Sequence, residues 1–344
     1  TVGKNKPRID FTDNTSGHFL LEPSRTNRFP YSNFYGTGGF GTFTTGTSSI
    51  TVTNDYAVSP DGTQNAIRFE ATIGSTASDR AGLRDLLSMS ASSATLSFYG
   101  KSNTSSNQTI AFHFNGGAQT VVTLTTEWQR FTYTQTSATS NYSGVEIRGG
   151  ITDTNIDVLL FGFQMEQASY ASSYIPTEGS SVTRSNEYVI DAGNSDVFSN
   201  TELSWFLDIE GFAEDGTNRY ISISDNGGSP YTNGYNILYR SDGNLRIFRN
   251  GLDFSDAIVI VNIDQSVRQK IAIRYKQNDM KVYINGTAQS LNSSYVFQSM
   301  SSGIDSIRFT QQNSTTSNAF DGKIYEMRVW NEALTDTELQ NLTS

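Results

Sequence analysis

The sequence predicts an all-β protein built from two tandem antiparallel β-sandwiches. Short segments in which apolar and polar residues alternate recur along the chain, and turns rich in Ser, Thr, Asn and Gly separate them. Long segments with a helical period are missing, which favours antiparallel sandwiches over a βαβ fold. With 344 residues, the chain has the length of about two domains.

Strands can be assigned in both halves. In the first half, alternation is clearest at 65–71, 94–101, 110–115, 128–135 and 156–165. In the second half, we predict strands at 202–212, 219–224, 235–239, 245–249, 270–276, 280–285, 304–310 and 322–330. Asp242-Gly243 and Asn285-Gly286 are predicted hairpin turns, because both pairs accept positive φ angles. One short C-terminal helix is predicted, where Thr335 and Glu338 can form a capping box.

The alternation breaks between residues 174 and 186, where Pro176, Gly179 and several small polar residues occur. We place the domain boundary in this segment. The predicted parts are a leading segment with a first strand at 1–35, a first sandwich at 36–176, a linker at 177–186 and a second sandwich at 187–344.

Composition and charge exclude several classes of function. The chain carries 24 basic and 34 acidic side chains, a net charge of −10 that opposes binding to a phosphate backbone, so we expect no nucleic-acid partner. Cysteine is absent, which excludes disulfides, thiolate metal sites and thiol nucleophiles. No apolar run approaches the ~20 residues of a membrane-spanning helix, so we expect no membrane insertion. Because the sequence starts with Thr1 rather than Met, we expect it to be part of a longer polypeptide.

The residues give little support for catalysis. His18 and His113 are the only histidines, and they lie too far apart in the sequence to show a metal-ligand spacing. The G-x-S-x-G motif of a serine nucleophile is absent. We predict that both histidines are structural or solvated side chains. The sequence therefore predicts no catalytic residue, no catalytic metal and no cofactor, and we expect the protein not to be an enzyme.

One acidic segment of the second half is similar to a catalytic strand of glycoside hydrolases. Residues 206–210 (FLDIE) resemble part of the E-x-D-x-E strand of laminarinase-type hydrolases, whose acids share one face of a sheet. Phe206 stands where that strand has its first carboxylate, which leaves the two-carboxylate mechanism incomplete. We therefore predict that Asp208 and Glu210 line the polar side of a strand whose other side, with Trp205, belongs to the core.

Loop aromatics are the candidates for ligand binding, because sugars bind proteins by stacking on rings and by hydrogen bonding. The candidate carbohydrate-binding residues lie in two loops and are Phe34, Tyr35, Asp225, Asn226, Tyr231 and Tyr235. Asp225 and Asn226 could instead supply oxygen ligands to a structural calcium ion. The Asn, Asp and Gly residues of these loops could also serve only to make the turns.

Five sequence blocks in the first half occur in a fixed order. They are PRIDFTD with GHFLLEPSRTNRFPYSNF (7–34), SPDGTQNA (59–66), SFYGKS (97–102), TTEWQRF (125–131) and GFQMEQASYASSYIPTEGSSVTR (162–184). Together they resemble a domain common in fibre proteins of tailed phages and marine viruses. The resemblance implies a jelly-roll of the carbohydrate-binding-module type, as found on head and tail fibres, and it carries over no catalytic residue.

Two blocks in the second half point to a lectin-like domain. They are RQKIAIRYKQNDMKVYINGT (268–287) and FDGKIYEMRVWNEALTDTELQNL (320–342). These blocks resemble the back-sheet hairpin and the closing strand with its short helix in laminin-G or concanavalin A-like lectin domains. The resemblance implies a second β-sandwich and does not specify its ligand.

These resemblances imply a bacteriophage virion appendage subunit, from a head or tail fibre, that adheres to host cell-surface polysaccharide without enzymatic activity. The expected partners are the host glycan, other virion proteins and further copies of the chain, with a trimer favoured, and the expected location is the virion surface. Two alternatives stay open. One is the accessory carbohydrate-binding region of a secreted bacterial polysaccharide-degrading enzyme, and the other is a purely structural capsid-decoration or fibre protein with no ligand.

Overall fold

A computed structural model gives the fold of the chain. It describes residues 8–11, 15–90, 92–114, 117–199, 201–212, 216–224, 234–249, 258–276, 279–292, 304–311 and 318–344, with the backbone alone for 117–119. Within these ranges the chain is almost entirely β-structure with one short helix, which confirms the all-β prediction. No helix among the described residues is long and apolar enough to cross a membrane.

The described strands are short and follow the alternating segments of the sequence. In chain order they are β1 (Ile9–Asp10), β2 (His18–Leu21), β3 (Arg25–Asn27), β4 (Gly41–Thr45), β5 (Ser48–Val58), β6 (Gln64–Ile73), β7 (Arg80–Leu87), β8 (Ser92–Ser102), β9 (Gln108–Phe114), β10 (Gly117–Leu124), β11 (Gln129–Ala138), β12 (Asn141–Arg148), β13 (Asn155–Glu166), β14 (Val182–Arg184), β15 (Glu202–Gly211), β16 (Arg219–Ser224), β17 (Gly234–Tyr239), β18 (Asn244–Arg249), β19 (Val259–Asn262), β20 (Gln269–Lys276), β21 (Asp279–Ile284), β22 (Thr287–Ala288), β23 (Ser306–Arg308) and β24 (Gly322–Trp330). Helix α1 spans Asp336–Thr343.

The chain folds into two compact units, and one is inserted into the other. Ser24–Ser185 form the inserted unit, whereas Thr1–Pro23 and Asn186–Ser344 together form the flanking unit. This division differs from the predicted boundaries at 1–35, 36–176, 177–186 and 187–344. The predicted leading segment is divided at Pro23, and its first part belongs to the flanking unit because β2 pairs with β24, with Phe19 opposite Ile324. Alternation reveals a strand but not the sheet that the strand joins, so the sequence could not show this pairing.

The inserted unit is a sandwich of two five-stranded antiparallel sheets, with strand orders β10-β9-β12-β7-β4 and β11-β8-β13-β6-β5. Large apolar side chains from both sheets fill the space between them. The rings of Phe98 and Phe163 stack with centroids 5.4 Å apart, and Phe112 meets Phe98 at 5.1 Å. Successive side chains of a strand point to opposite sides, so the residues between these core positions face outward.

Asn27, in the LEPSRTN block of the sequence, holds together the start and the end of the inserted unit. Its amide is fully buried and donates hydrogen bonds to the carbonyl oxygens of Phe163 (3.0 Å) and Ile175 (2.9 Å). Its Oδ1 accepts hydrogen bonds from the backbone N–H groups of Phe29 and Met165. Beside it, β3 pairs with β14, so the chain enters and leaves the inserted unit on neighbouring strands.

The flanking unit is a second sandwich. Its seven-stranded sheet has the order β1-β2-β24-β15-β20-β21-β22, and its five-stranded sheet has the order β19-β18-β17-β16-β23. The core between them includes Trp205 as well as Tyr235 and Tyr275, whose ring centroids are 5.3 Å apart. The predicted turn at Asn285-Gly286 is confirmed, since both residues have positive φ angles of 49° and 75°.

Helix α1 covers part of the outward side of the seven-stranded sheet. Thr335 caps its first turn, and Glu338 completes the predicted capping box. Leu339 of the helix packs on Phe206 and Tyr283, and all three side chains are buried. This sheet is therefore apolar on both sides where the helix lies, which explains why an aromatic residue occupies the outward position 206.

Candidate functional site

The candidate site is the outward side of the sheet β10-β9-β12-β7-β4 in the inserted unit. On β7, Ala81, Leu83 and Leu87 belong to the core. Residues at alternate positions of the strand, Arg80, Gly82, Arg84 and Leu86, therefore face away from it. Register extends this side across the sheet, because Phe43 of β4 lies opposite Gly82, Gly144 of β12 lies opposite Arg84, and Glu146 lies opposite Gly82.

Arg84 lies between two aromatic rings on this surface. The central carbon of its guanidinium is 4.1 Å from the centroid of the Phe43 ring and 4.0 Å from that of the Tyr142 ring. Since β4 and β12 flank β7 on opposite sides, the two rings approach Arg84 from opposite sides. Tyr142 keeps 39% of its surface exposed, so the stack is open to solvent.

A buried ion pair lies beside this stack. Glu146 accepts hydrogen bonds from Arg80, whose Nη2 and Nε lie 2.5 Å and 3.1 Å from its Oε2. The same oxygen lies 3.0 Å from His113 Nδ1, and both Glu146 and His113 are fully buried. Phe43 covers His113, with ring centroids 5.0 Å apart. We call Phe43, Arg80, Arg84, His113, Tyr142 and Glu146 the arginine–aromatic face.

Two glycines form the floor of this face. A Cβ atom at Gly82 would lie 2.5 Å from the Phe43 ring and 2.6 Å from the Val145 carbonyl oxygen. A Cβ atom at Gly144 would lie 2.1 Å from the Leu83 carbonyl oxygen. Because real Cβ contacts are longer than these distances, only glycine fits at either position, and the neighbouring long side chains lie close to the sheet.

The electrostatics of the arginine–aromatic face centre on Arg84. The guanidinium of Arg84 has neither a hydrogen bond nor an ion pair with any residue that the structure describes. Burial lowers the pKa of its guanidinium and the positive charge of Arg80 acts in the same direction, while Tyr142 and Glu146 oppose this shift. Arg148 also faces outward, opposite Arg80. The described outward positions of this sheet thus carry three arginines and one carboxylate, in a chain whose net charge is −10.

The predicted loop candidates have different fates. Phe34 is 39% exposed and packs against Tyr31, with ring centroids 5.3 Å apart. Tyr35 is half-buried against the core of the inserted unit, and its backbone exchanges two hydrogen bonds with the Asn54 side chain. Tyr35 bridges Phe40, which precedes Gly41, the residue of β4 opposite Arg84. Phe34 remains an accessible ring, whereas Tyr35 serves mainly to fix its loop.

The prediction of Tyr235 as a binding residue is wrong. Tyr235 lies in β17, in agreement with the predicted strand at 235–239, but it is 1% exposed and packs on Tyr275 in the core of the flanking unit. Burial also raises the pKa of its phenol well above the usual value. It cannot present a ring to a ligand. The other candidates of that loop, Asp225, Asn226 and Tyr231, lie outside the described residues, and with them the suggested calcium site.

The acidic strand compared with glycoside hydrolases is fully engaged in ion pairs and hydrogen bonds. Both oxygens of Asp208 accept hydrogen bonds from Arg268, each at 2.6 Å. Glu210 accepts a hydrogen bond of 2.9 Å from the Tyr325 hydroxyl and lies 3.2 Å from the Lys323 ammonium. Among the described residues, no group of three or more acidic or histidine side chains could hold a metal ion.

Sequence reasoning missed most of the arginine–aromatic face. His113 was predicted to be a structural or solvated side chain, and it is buried on the outward side of β9, at the position between Phe112 and Phe114. Phe43, Arg84 and Tyr142 come from three strands that are separated in the sequence. Only the pairing register brings them together, and nothing in a single sequence reports that register.

Comparison with known proteins supports the fold of the flanking unit. Residues 190–340 match a family model described as the concanavalin A-like lectin/glucanases superfamily. This match confirms the concanavalin A-like domain predicted for the second half of the chain. A search of curated proteins finds no match.

Solved structures give similarities over less than half of the chain. The CBM40 of the Ruminococcus gnavus IT-sialidase, bound to alpha2,3 sialyllactose, is 17% identical, and the match covers 42% of this chain and 84% of that one, with a TM-score of 0.35. The heptameric SAP-like pentraxin from Limulus polyphemus is 16% identical, with 46% and 75% covered and a TM-score of 0.37. The CBM22-1 xylan-binding domain of Paenibacillus barcinonensis Xyn10C is 16% identical, with 43% and 94% covered and a TM-score of 0.28.

Proposed function

We propose that this protein binds carbohydrate without transforming it, and that the arginine–aromatic face of the inserted unit is the binding surface. The observation that carries the proposal is the open Tyr142–Arg84–Phe43 stack, in which an exposed ring adjoins a guanidinium whose donors have no acceptor among the described residues. Sugars need both features, since their apolar faces stack on rings and their hydroxyls accept hydrogen bonds.

The flanking unit supports binding rather than catalysis. Its superfamily contains lectins and glucanases, and a glucanase on a sandwich needs two free carboxylates near the scissile bond. Asp208 is held by Arg268, Glu210 is held by Tyr325 and Lys323, and Phe206 lies under helix α1. Because neither carboxylate is free, these contacts favour a lectin-like role of the flanking unit over a glucanase activity.

The setting that we propose is the surface of a bacteriophage virion, as part of a head or tail fibre that contacts host polysaccharide. Support comes from the five ordered sequence blocks of the first half. Residues 24–34 of the first block and the four later blocks lie in the inserted unit. In such an appendage, several copies of a weak site act together, and linked sites raise the overall affinity without new contacts. We propose a homo-oligomer, with a trimer favoured.

Glycan binding is tested with the full chain on a glycan array, followed by titration of the sugars that bind. We expect Tyr142→Ala to weaken binding by about fivefold, because a lost stacking contact costs about 1 kcal/mol. Tyr56→Ala is the matched control, because Tyr56 is also exposed and also stacks with an arginine, Arg68, but lies on the other sheet. Unchanged glycan affinity in Tyr142→Ala would contradict the proposal that the arginine–aromatic face is the binding surface.

Two further measurements test the remaining parts of the proposal. Incubation of the chain with the bound polysaccharides should release no reducing ends and no unsaturated sugars, and release of either would contradict a non-enzymatic role. Antibodies against the chain should label purified virions in electron microscopy. Secretion of the chain by an uninfected bacterium, joined to a catalytic domain, would support the accessory region of a degrading enzyme instead.

A further inference from the structure

The arginine–aromatic face also indicates the class of saccharide that it binds. We propose that Arg84 recognises a carboxylate on the bound saccharide, so that the ligand is an acidic sugar of the uronic acid class. This inference rests on the proposed function, because it assigns a ligand to the same surface. It adds a chemical requirement that carbohydrate binding alone does not impose.

The positions of the rings and of the N–H groups direct a ligand to the edge of the Arg84 guanidinium. The rings of Phe43 and Tyr142 lie about 4 Å from its central carbon and come from strands on opposite sides of β7, so each ring shields the guanidinium on its own side. The N–H groups point outward from the edge of the guanidinium plane. An acceptor must therefore come edge-on, in the plane, which is the geometry in which a carboxylate accepts two parallel hydrogen bonds from arginine.

No carboxylate among the described residues forms a hydrogen bond or an ion pair with Arg84. Glu146, the nearest outward carboxylate in the sheet register, is already engaged by Arg80 and by His113. Asp85 is adjacent in sequence, but strand alternation directs it to the opposite side of the sheet, where its Oδ1 accepts a hydrogen bond from the Leu86 N–H. Among the described residues, Arg84 thus interacts with Glu146 only through space and has no hydrogen-bonded or ion-paired carboxylate.

Arg268 of the flanking unit shows what a satisfied arginine looks like in this protein. It also stacks on an aromatic ring, with its central carbon 3.9 Å from the Tyr325 centroid, but its edge is occupied by both oxygens of Asp208. Arg84 has the same stacking without the carboxylate. We infer that a ligand carboxylate takes the place that Asp208 occupies at Arg268.

The charge of the whole chain makes this contact selective. A net charge of −10 repels an acidic polysaccharide at long range, so charge alone does not attract it. Three outward arginines against one carboxylate reverse that sign on this one sheet surface. Binding of an acidic sugar must therefore depend on this surface and not on the charge of the molecule as a whole.

The experiment measures the affinity of the full chain for a panel of uronic-acid oligosaccharides. Each is paired with its carboxyl-reduced form, in which a primary alcohol replaces the carboxylate. It is also paired with an oligosaccharide that has sulfate esters and no carboxylate. We expect the uronic-acid form to bind about 10- to 100-fold more tightly than its reduced form, as for a bidentate charge-assisted contact. Arg84→Met should abolish this difference, and Arg84→Lys should restore only part of it, because lysine lacks the planar fork.

Arg130→Met is the matched control. Arg130 is an arginine of the other sheet that stacks on Tyr99 at 5.6 Å and hydrogen-bonds to Ser97, so its loss removes one positive charge and one stacking contact away from the site. We expect it to leave the preference for carboxylates intact. Thermal unfolding of each variant shows whether the inserted unit is folded, and the partial rescue by Arg84→Lys separates lost recognition from lost folding.

The outcomes distinguish this inference from the proposed function. Equal binding of the uronic-acid and reduced forms, or a carboxylate preference that survives Arg84→Met, would overturn the inference and leave carbohydrate binding standing. A stronger Arg84-dependent preference for the sulfated sugar would overturn the assignment of a carboxylate. If no saccharide of any arm binds, the proposed function itself fails.

Discussion

The outward sheet surfaces of the two sandwiches differ in whether a helix covers them and whether their stacked arginine is paired. In the flanking unit, helix α1 buries Phe206 and Tyr283, and Arg268 beside them is paired with Asp208. In the inserted unit, no helix covers the corresponding surface among the described residues, and the arginine stacked between rings has no acidic partner. One surface is completed by its own chain, and the other is left with unused hydrogen-bond donors.

The difference between the two outward surfaces indicates which of the two sandwiches can bind a ligand there. Both surfaces pair an arginine with an aromatic ring, so the residue types alone do not distinguish them. What differs is whether the edge of the guanidinium is satisfied, and at Arg268 that depends on a single carboxylate, Asp208, on the neighbouring strand β15. A stacked arginine with a carboxylate is part of the framework, whereas one without is available to a ligand.

The largest expected effect comes from opening the covered surface. Phe206→Ala should destabilise the flanking unit by about 3 kcal/mol, because it removes a buried ring and leaves a cavity under helix α1. Hydrogen exchange followed by mass spectrometry reports the two units separately. The control, Met327→Ala, removes a side chain of the same sheet that is 41% exposed and should cost less than about 1 kcal/mol. Equal losses in the two variants would show that the helix does not seal this surface.

The second effect concerns the buried carboxylate of the open surface. Glu146→Gln should destabilise the inserted unit by about 2 kcal/mol, because Arg80 and the buried His113 lose the charge that they share. Glu70→Gln is the control, since Glu70 pairs with Arg68 at 2.9 Å on the other sheet but is about one-third exposed. We expect its loss to cost less than about 0.5 kcal/mol. A harmless Glu146→Gln would mean that the ion pair does not build the site.

The third effect is smaller and lies on the covered surface. Asp208→Asn removes the partner of Arg268 and should destabilise the flanking unit by about 1 kcal/mol, because the Arg268 side chain is 49% exposed and can be rehydrated. Denaturant unfolding measures the loss. The same substitution converts Arg268 into a stacked arginine without a carboxylate. If it then binds uronic-acid oligosaccharides weakly, the difference between the two surfaces lies in that one carboxylate.

The sequence predicted the parts of this molecule that depend on local pattern. The capping box at Thr335 and Glu338, the positive-φ turn at Asn285 and the placement of Trp205 in the core all follow from residues that are close in the chain. The same holds for most strands, since alternation is a property of a short segment. These elements could be predicted because the residues that determine each of them lie close together in the sequence.

What the sequence could not supply is the pairing between distant strands. The first strands join a sheet whose other members begin beyond residue 200, because Phe19 and Leu21 find their apolar partners there. The arginine–aromatic face has the same origin, since it combines residues of β4, β7, β9 and β12. Tyr235 was wrongly predicted to bind a ligand because it directly follows a segment rich in Gly and Asn, whereas its ring is buried in the core.

The smallest expected effect is a difference in chemical reactivity between the two stacked arginines. Phenylglyoxal attacks the neutral guanidine, so an arginine of lower pKa reacts faster at a given pH. Burial lowers the pKa of Arg84, whereas the hydrogen bonds to Asp208 raise the pKa of Arg268. At mildly alkaline pH, we expect mass spectrometry to show Arg84 modified severalfold faster than Arg268, although Arg268 is about half exposed.

Asp208→Asn is the control for this reactivity, because it should speed the modification of Arg268 and leave Arg84 unchanged. A bound uronic-acid oligosaccharide should slow the modification of Arg84 alone, since its carboxylate would raise the pKa of that guanidinium as Asp208 does for Arg268. If Arg268 reacts first in the unmodified protein, exposure rather than pairing governs the two arginines. The distinction between a completed and an open surface would then lose its chemical basis.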